Sequence, residues 1–442
     1  MTRHRSILLV LGALLLLALA PVALLGDLRL RIPSFLLLWA LAHAIYLAAA
    51  WRVTRAPTAG DGTARRAPVT AIVLGVGLLA RLCLLPAAPS LSEDVYRYLW
   101  DGRLVAHGVN PFPHPPSDPA LAPYHSEIYH HLNHADVPTI YPPAAQLLFG
   151  ATARIAATPG AWKLMMLALE LLLLLGLDEL LRRRGLPRER ILLYYWNPLV
   201  IVESYGSGHL DLVAAAFLVA AIALFEARRS VPAGFLFALA ILTKYVPGIM
   251  APWFFRRRAW LLLAATGVTV TALFVPFWEA GPTLWTGLRT YARHWEFNSA
   301  VYRLLRSAAL SDAATRTVLA GALAAAAIAI AWRARSASAA AMASMTAFLV
   351  LSPTVFPWYA IPAVAFLPLH PDWGVLVFSG LLALSYVPLP LFRATGLWML
   401  PNWILWVEYG GLLLAWGLSL WARRRRARQE RAVAWTSEST PT

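Results

Sequence analysis

Charged residues are scarce in this chain. Of 442 residues, 14% are Asp, Glu, Lys or Arg, whereas 59% are apolar. A soluble domain carries about a quarter charged residues. The length would allow two or three soluble domains, but the polar side chains to clothe them are missing. Cysteine is nearly absent. The single Cys83 excludes an intrachain disulfide and a thiolate metal cluster, and its apolar neighbours mark it as a small buried side chain. Acidic residues are outnumbered, 22 against 38 basic, and the net charge of +16 would suit a nucleic-acid partner. Its placement argues otherwise. The arginines form short clusters at the ends of apolar runs: Arg3 with Arg5, Arg65–Arg66, Arg182–Arg184, Arg228–Arg229, Arg256–Arg258, Arg333 with Arg335, and Arg423–Arg426. Cytoplasmic loops beside membrane spans have this distribution, which also suits anionic headgroups. Membrane lipids, not nucleic acid, are the expected surroundings.

What the chain does have is long apolar runs. Ile7–Leu25, Ala161–Leu177, Leu212–Phe225 and Ala259–Trp278 are almost unbroken. Each is near the roughly 20 residues that cross about 30 Å of hydrocarbon as a helix. Ile7–Leu25 has the basic start of a signal peptide, but the spans that follow mark it as a retained first helix. The pattern predicts an all-α polytopic membrane protein with about 12–14 transmembrane helices and both termini inside. With the arginine clusters held inside, segments over 6–26, 32–51 and 68–86 leave the loop Arg52–Arg66 cytoplasmic and the region from Pro86 to Tyr141 external. This region is the longest polar stretch and is rich in proline and histidine; a connection of that length is usually functional. Pro142–Ala157 opens with two prolines and carries Gln146 and Arg154. Laying it in the interface keeps Arg182–Arg184 inside and extends the external loop over 87–158. Further segments are expected over 159–181, 190–205 and 210–226, then a tight hairpin over 232–255 with Lys244 and Pro247 at its turn. The remainder are expected over 259–278, 313–332, 340–352, 359–370, 373–388 and 401–421. The resulting organisation is N-terminal helices with an inner loop (1–66), a core holding the external loop (67–256), a C-terminal transmembrane region (257–426) and a disordered cytoplasmic tail (427–442).

The external loop opens with SEDVYRYLWDGRLVAHGVNPF, in which Glu93, Asp94, Arg97, Asp101 and Arg103 crowd together. On a helix Asp94, Arg97, Tyr98 and Asp101 share one face by the i+3 and i+4 spacings, and Gly108, Asn110 and Pro111 punctuate a turn. A salt-laced interfacial helix would account for these charges. So would a carboxylate base with arginines for an anionic substrate. Three other external places converge. NPLVIVESYGSGHLD holds Asn197, Glu203, His209 and Asp211, polar groups that are costly at a helix break in a membrane unless used. The second holds Tyr291, Arg293, His294, Trp295 and Asn298, and the third Trp358 with Tyr359. An aromatic interface belt explains Trp295, Trp358 and Trp403; it does not explain Glu203, His209 and Asp211. An external acidic site supports either chemistry assisted by a divalent cation, Mg or Mn, or metal-free general-base chemistry. No metal ligand is assigned. No Ser-His or Cys-His constellation offers a covalent nucleophile.

The run DVYRYLWDGRLVAHGVNPF, followed by PTIYPPAAQ, NPLVIVESYGSGHLD, LTKYVP and SPTVFPWY, resembles the GT-C superfamily of membrane glycosyltransferases. Within it, the bacterial polyprenyl-phosphate-dependent mannosyltransferases are the nearest match, over about Ala80 to Trp421. The resemblance implies a GT-C type fold whose first external loop lies along the membrane surface and makes the core 67–256 catalytic. It implies an inverting transfer of a hexose, mannose, from a polyprenyl-phosphate sugar to a lipid-linked or cell-envelope glycan acceptor. The site would face the extracytoplasmic side of the plasma (inner) membrane. The superfamily's essential acidic residue matches Asp94, and an acidic residue of the second external loop matches Asp211. The helices before residue 68 depart from the minimal superfamily core. Asp94 is then the expected base, with Glu93 and Asp101 its rivals; adjacent helical residues point about 100° apart, so Glu93 and Asp94 cannot both reach one hydroxyl. Substrate contacts are expected from Arg97, Tyr98, Arg103, Asn110, Tyr141, Glu203, His209, Lys244, Arg293, His294, Trp358 and Tyr359, with the cationic groups directed to phosphate. A secondary transporter or lipid flippase would instead need a central path through broken helices, whereas the polar residues here gather at one face. A non-catalytic membrane assembly factor would tolerate the loss of Asp94. The sequence identifies no protein partner.

Overall fold

Leucine and alanine fill the apolar runs, and both are strong helix formers. The computed structural model describes the backbone of residues 3–55 and 63–438, with side chains over 3–55 and 68–425. Part of the inner loop expected over Arg52–Arg66 and the last four residues of the tail therefore lie outside the described residues. Among the described residues there is no β-sheet, only an isolated bridge of Phe297 with Thr354. The longer helices are α1 (Arg3–Leu24), α2 (Ile32–Thr54), α3 (Thr63–Leu84), α4 (Asp94–Ala106), α5 (Pro143–Ile155), α6 (Pro159–Arg183), α7 (Asp211–Glu226) and α8 (Ser230–Thr243). They continue with α9 (Trp260–Phe274), α10 (Thr286–His294), α11 (Ala300–Ser307), α12 (Asp312–Arg333), α13 (Ala337–Leu351), α14 (Trp373–Leu381) and α15 (Asn402–Glu438). Among the described residues, six stretches are long and apolar enough to cross a membrane by length and composition: Arg3–Leu24, Ile32–Thr54, Trp260–His294, Asp312–Arg333, Trp373–Thr395 and Asn402–Arg425. The chain is a multi-pass membrane protein.

Burial separates the helices into an inner and an outer set. Every residue of α7 from Asp211 to Ala223 is buried, so this helix is enclosed by protein on all sides. On α1, Leu8, Leu15, Leu19 and Val22 face inward, while Leu14 and Leu17 are exposed. An exposed leucine on an apolar helix is a lipid-facing position. α5 has 13 residues, about 20 Å at 1.5 Å per residue, which falls short of the roughly 30 Å hydrocarbon layer. It packs on α4, where Gly102 meets the backbone of Phe149 and Gly150 meets Val105. A Cβ at Gly102 would stand 2.5 Å from the Phe149 carbonyl oxygen, so this helix pair closes only without one.

One expected segment is broken. Residues 190–205 form short turns over Arg188–Ile191, Leu192–Tyr195 and Pro198–Ile201, followed by a π-helical turn over Val202–Ser207. Pro198 brings no amide hydrogen, and the Asn197 side chain accepts from Leu199 N–H at 2.9 Å to start the next turn. A buried ion pair holds the break in place. Arg81 donates from Nε and Nη2 to both oxygens of Glu170, each at 2.6 Å, and the Tyr194 and Tyr205 hydroxyls donate to the same carboxylate at 2.6 Å. Arg81 also donates to the carbonyls of Gly77 and Tyr195. Charges buried this deeply persist only when paired and hydrogen-bonded. Trp162 Nε1 donates to the Gly208 carbonyl at 2.8 Å, and Gly208 takes a φ of +87°, turning the chain toward α7.

The arginine-bearing helix ends gather at one end of the molecule. Arg184 pairs with Glu226 at 2.7 Å and lies 3.4 Å from His370, which lies 2.8 Å from Ser338. Arg257 donates to the Ala334 carbonyl at 3.1 Å, and His4 lies 3.7 Å from Glu189. The hairpin expected over 232–255 appears as α8 followed, after extended Lys244, by helical turns over Val246–Met250 and Ala251–Arg256. Its turn sits at the opposite end, where Lys244 meets the first residue of α7. The tail expected to be disordered continues α15 as helix to Glu438; its Arg, Ala, Gln and Glu residues all favour helix.

Candidate active site

At the end away from the arginine clusters lies a cavity of about 750 Å³. Its wall includes Glu93, Asp94, Arg97 and Tyr98 from α4 and its approach, Tyr141 before α5, Lys244 at the hairpin turn, and Tyr291 and His294 of α10. Trp358, Tyr359 and Tyr386 close the far side. The cavity thus draws on all three stretches of the chain, since Arg29 and Arg393 also reach it.

Asp94 is the first residue of α4, and its N–H donates to Ser92 Oγ at 3.2 Å. Its side chain is one quarter exposed, and Oδ2 lies 3.7 Å from His209 Nδ1. Burial pushes its pKa up to about 6; Lys244 opposes the rise, and the Asp211 and Glu93 carboxylates add to it. Its place at a helix N-terminus favours the ionised form. The result is a carboxylate that is largely ionised at neutral pH yet basic enough to accept a proton. Tyr98 stacks on Phe149 at 4.8 Å and meets Tyr141 edge-on at 5.0 Å. Burial holds both phenols well above their ordinary pKa, so they stay protonated beside Asp94.

A polar layer forms part of this wall and continues behind it. Lys244 Nζ donates to Asp211 Oδ1 at 2.6 Å and sits 4.0 Å over the Tyr359 ring. Tyr359 and Tyr291 share a hydrogen bond of 2.5 Å between their hydroxyls. His209 is fully buried and stacks on Trp358 at 3.5 Å. Its Nε2 lies 3.6 Å from Glu203 Oε2, while Glu203 Oε1 accepts from the Tyr386 hydroxyl at 2.8 Å. Buried His209 and Glu203 thus lie between Asp94 and Tyr386 of the cavity wall, and both His209 nitrogens lack a hydrogen-bond partner.

The other candidates divide between the wall and its surroundings. Asp101 does not line the cavity: Arg97 Nε (2.9 Å), Thr139 Oγ1 (2.5 Å) and Gln146 Nε2 (3.0 Å) occupy its carboxylate. Arg97 lines the cavity but is also tied to the Val137 carbonyl at 3.0 Å. Arg103 donates to Ser126 Oγ at 2.5 Å, outside the cavity wall. Asn110 closes a turn, donating to Phe277 O at 3.2 Å and accepting from Phe112 N–H at 3.1 Å. Arg293 is exposed on α10 and does not reach the wall, although neighbouring His294 does. Glu93 lines the cavity paired with Arg29 at 2.9 Å.

Sequence reasoning passed over Arg29, Arg393 and Tyr386. A signal for both arginines was present. Each falls in an expected external turn, against the general preference of arginine for the inner side. No three His, Cys, Asp or Glu residues gather in metal-holding geometry among the described residues. Asp211, a buried carboxylate near the cavity, already holds Lys244. Among the described residues the site therefore offers no ligand set that fits a protein-held divalent cation.

The family model described as "Alpha-(1->6)-mannopyranosyltransferase, N-terminal domain" (MptA_B_family) matches residues 6–264. No curated protein matches the chain. The matched stretch contains Asp94, Glu203, His209, Asp211 and Lys244, and it ends before Tyr291, Trp358 and Arg393.

Proposed function

Because the chain belongs to the alpha-(1->6)-mannopyranosyltransferase family, whose model covers residues 6–264 of 442, we propose that the cavity is where this membrane glycosyltransferase moves mannose from a polyprenyl-phosphate donor to a lipid-linked or cell-envelope glycan. The observation that carries the reading is Asp94: a partly exposed carboxylate with a pKa of about 6, facing a cavity wide enough for a sugar. Asp94 takes the proton from the acceptor hydroxyl. The hydroxyl oxygen attacks the anomeric carbon from the side opposite the lipid phosphate, and the bond from that carbon to the phosphate oxygen breaks. The electron pair leaves with polyprenyl phosphate. An α product formed with inversion requires a β-linked donor. Polyprenyl phosphate is a good leaving group, so the site needs cations to hold it more than an acid to protonate it.

The arginine-rich helix ends lie opposite the cavity, which supports an extracytoplasmic site under the positive-inside rule. We take the core over 67–256 with its external loop as the catalytic body, completed by aromatic residues from the C-terminal region. Purified protein mixed with radiolabelled polyprenyl-phosphate mannose and membrane acceptor lipids is expected to give labelled, α-linked product. Wild-type protein that binds the donor but releases no labelled product with any acceptor lipid fraction would overturn the reading.

A further inference from the structure

The rim of the cavity carries a row of alternating charges. Glu93 pairs with Arg29 at 2.9 Å, Arg29 pairs with Asp27 at 3.0 Å, and Asp27 also accepts from Arg393. The row joins three distant parts of the chain: the turn between α1 and α2, the residue before Asp94, and the short helix Leu389–Thr395. Both arginines line the cavity, and their side chains are 29% and 45% exposed, so a ligand can reach them. Beside the row, next to exposed Arg31, large apolar side chains stand out. Leu30, Leu391, Phe392, Leu397 and Met399 are all exposed, and at this end of a membrane protein such a lip meets lipid. Inside the row an aromatic wall descends to the floor. Trp398 contacts Phe297 at 5.2 Å, Phe297 stacks on Phe356 at 4.2 Å, and Phe356 stacks on Trp358 at 4.6 Å.

Three chemistries thus follow one another from outside to inside: an apolar lip, a cationic pair and an aromatic wall ending beside Asp94. A molecule with an apolar chain, a phosphate and a sugar has the same order. We propose that Arg29 and Arg393 clamp the phosphate of a lipid phosphate at a side opening between residues 25–31 and 389–395, with Asp27 as the resting partner that the phosphate displaces. The inference rests on the lipid-phosphate donor of the proposed function and names the site that receives it. Arg393 pairs with Asp27 alone and is free to swing once a phosphate arrives. Arg29 is held by Asp27 and Glu93, so it offers its remaining N–H groups in a fixed place. Glu93 adjoins Asp94 in the chain, and both line the cavity that the two arginines reach.

The probe is polyprenyl phosphate without sugar, added to the full-length protein in nanodiscs of neutral phosphatidylcholine. A parallel arm replaces it with phosphatidylglycerol, which separates the donor phosphate from an ordinary anionic headgroup. Wild-type protein is expected to bind polyprenyl phosphate, and Arg29→Gln and Arg393→Gln to weaken it on the order of tenfold each, the loss of one charge-assisted contact. Asp94→Asn is expected to bind as wild type does, because the clamp precedes chemistry. Asp27→Asn is expected to bind at least as tightly. Arg393→Gln is the decisive variant if Arg29→Gln fails to fold, since Arg393 is the more exposed and has one partner. Binding unchanged within about twofold in Arg393→Gln, and in Arg29→Gln where it folds, would overturn the clamp while leaving the donor reading standing. Equal binding of phosphatidylglycerol, equally weakened by both substitutions, would make the pair a general headgroup contact and also overturn it. Wild-type protein that ignores polyprenyl phosphate would overturn the donor reading itself.

Discussion

Replacing Asp94 by asparagine keeps the shape of the site and removes its proton acceptor. The structure sets the expected size of the effect. With a pKa of about 6, about nine-tenths of the protein carries the ionised carboxylate at pH 7 and about one-tenth at pH 5. Wild-type turnover is therefore expected to fall about tenfold between those values, with a limb of unit slope below pH 6. Asp94→Asn is expected to lose about 10²–10⁴ in rate and to flatten that limb, while still inserting in the membrane and binding donor. The sign of the Lys244 contribution gives an independent check. Lys244 favours the ionised carboxylate, so Lys244→Met is expected to raise the Asp94 pKa and shift the acid limb upward in pH. The assay is turnover with saturating labelled donor and acceptor across pH 4.5 to 8.5 (roughly the range over which a base of this strength titrates), beside a donor-binding measurement. An Asp94→Asn protein that works at more than about a tenth of the parental rate, or that keeps the acid limb, would refute the reasoning. The base would then be sought at Glu93, which lines the same cavity.

Asp211→Asn is expected to slow turnover less than Asp94→Asn and to lower the melting temperature in detergent, because Lys244 would lose a buried partner at 2.6 Å. Glu170→Gln is expected to destabilise the protein by about 3–5 kcal/mol, since Arg81 would remain charged and fully buried; thermal unfolding of purified protein measures this. Arg293→Ala is expected to leave the KM for donor within about twofold, as its side chain is exposed away from the cavity wall. In a Cys83→Ser background, a cysteine replacing exposed Ser117 is expected to react with an impermeant reagent on intact cells; reaction only after the membrane is broken would reverse the orientation.

The short helices around the site show what sequence spacing can and cannot tell. Asp94 and Asp101 share a face of α4, and both were reasonable bases on that ground. Two turns along that face, however, the loop folds back and brings Thr139 and Gln146 onto Asp101, while Asp94 stays open. Spacing assigns a face and is silent about what covers it. In sequence Trp358 suits both an aromatic belt and a substrate contact; in the fold it lines the cavity and stacks on His209. The sequence sets Lys244 at a hairpin turn without saying what it faces; Asp211 at the start of α7 determines where its ammonium points.

The apolar runs, their lengths and the arginines at their ends belong to the sequence alone. They state which segments prefer hydrocarbon to water and which ends resist crossing, and each is a local transfer free energy that needs no partner. The motif order carried the family in the same way, and the match over residues 6–264 agrees with it. Tertiary structure decided which charges meet. Asp27 and Arg393 are 366 residues apart and come together only because the turn between α1 and α2 packs against the helix Leu389–Thr395. Arg81 and Glu170, 89 residues apart, find each other inside the protein because neither can be left unpaired there. Such pairings depend on distances across the fold, and a linear pattern of residues holds no record of them.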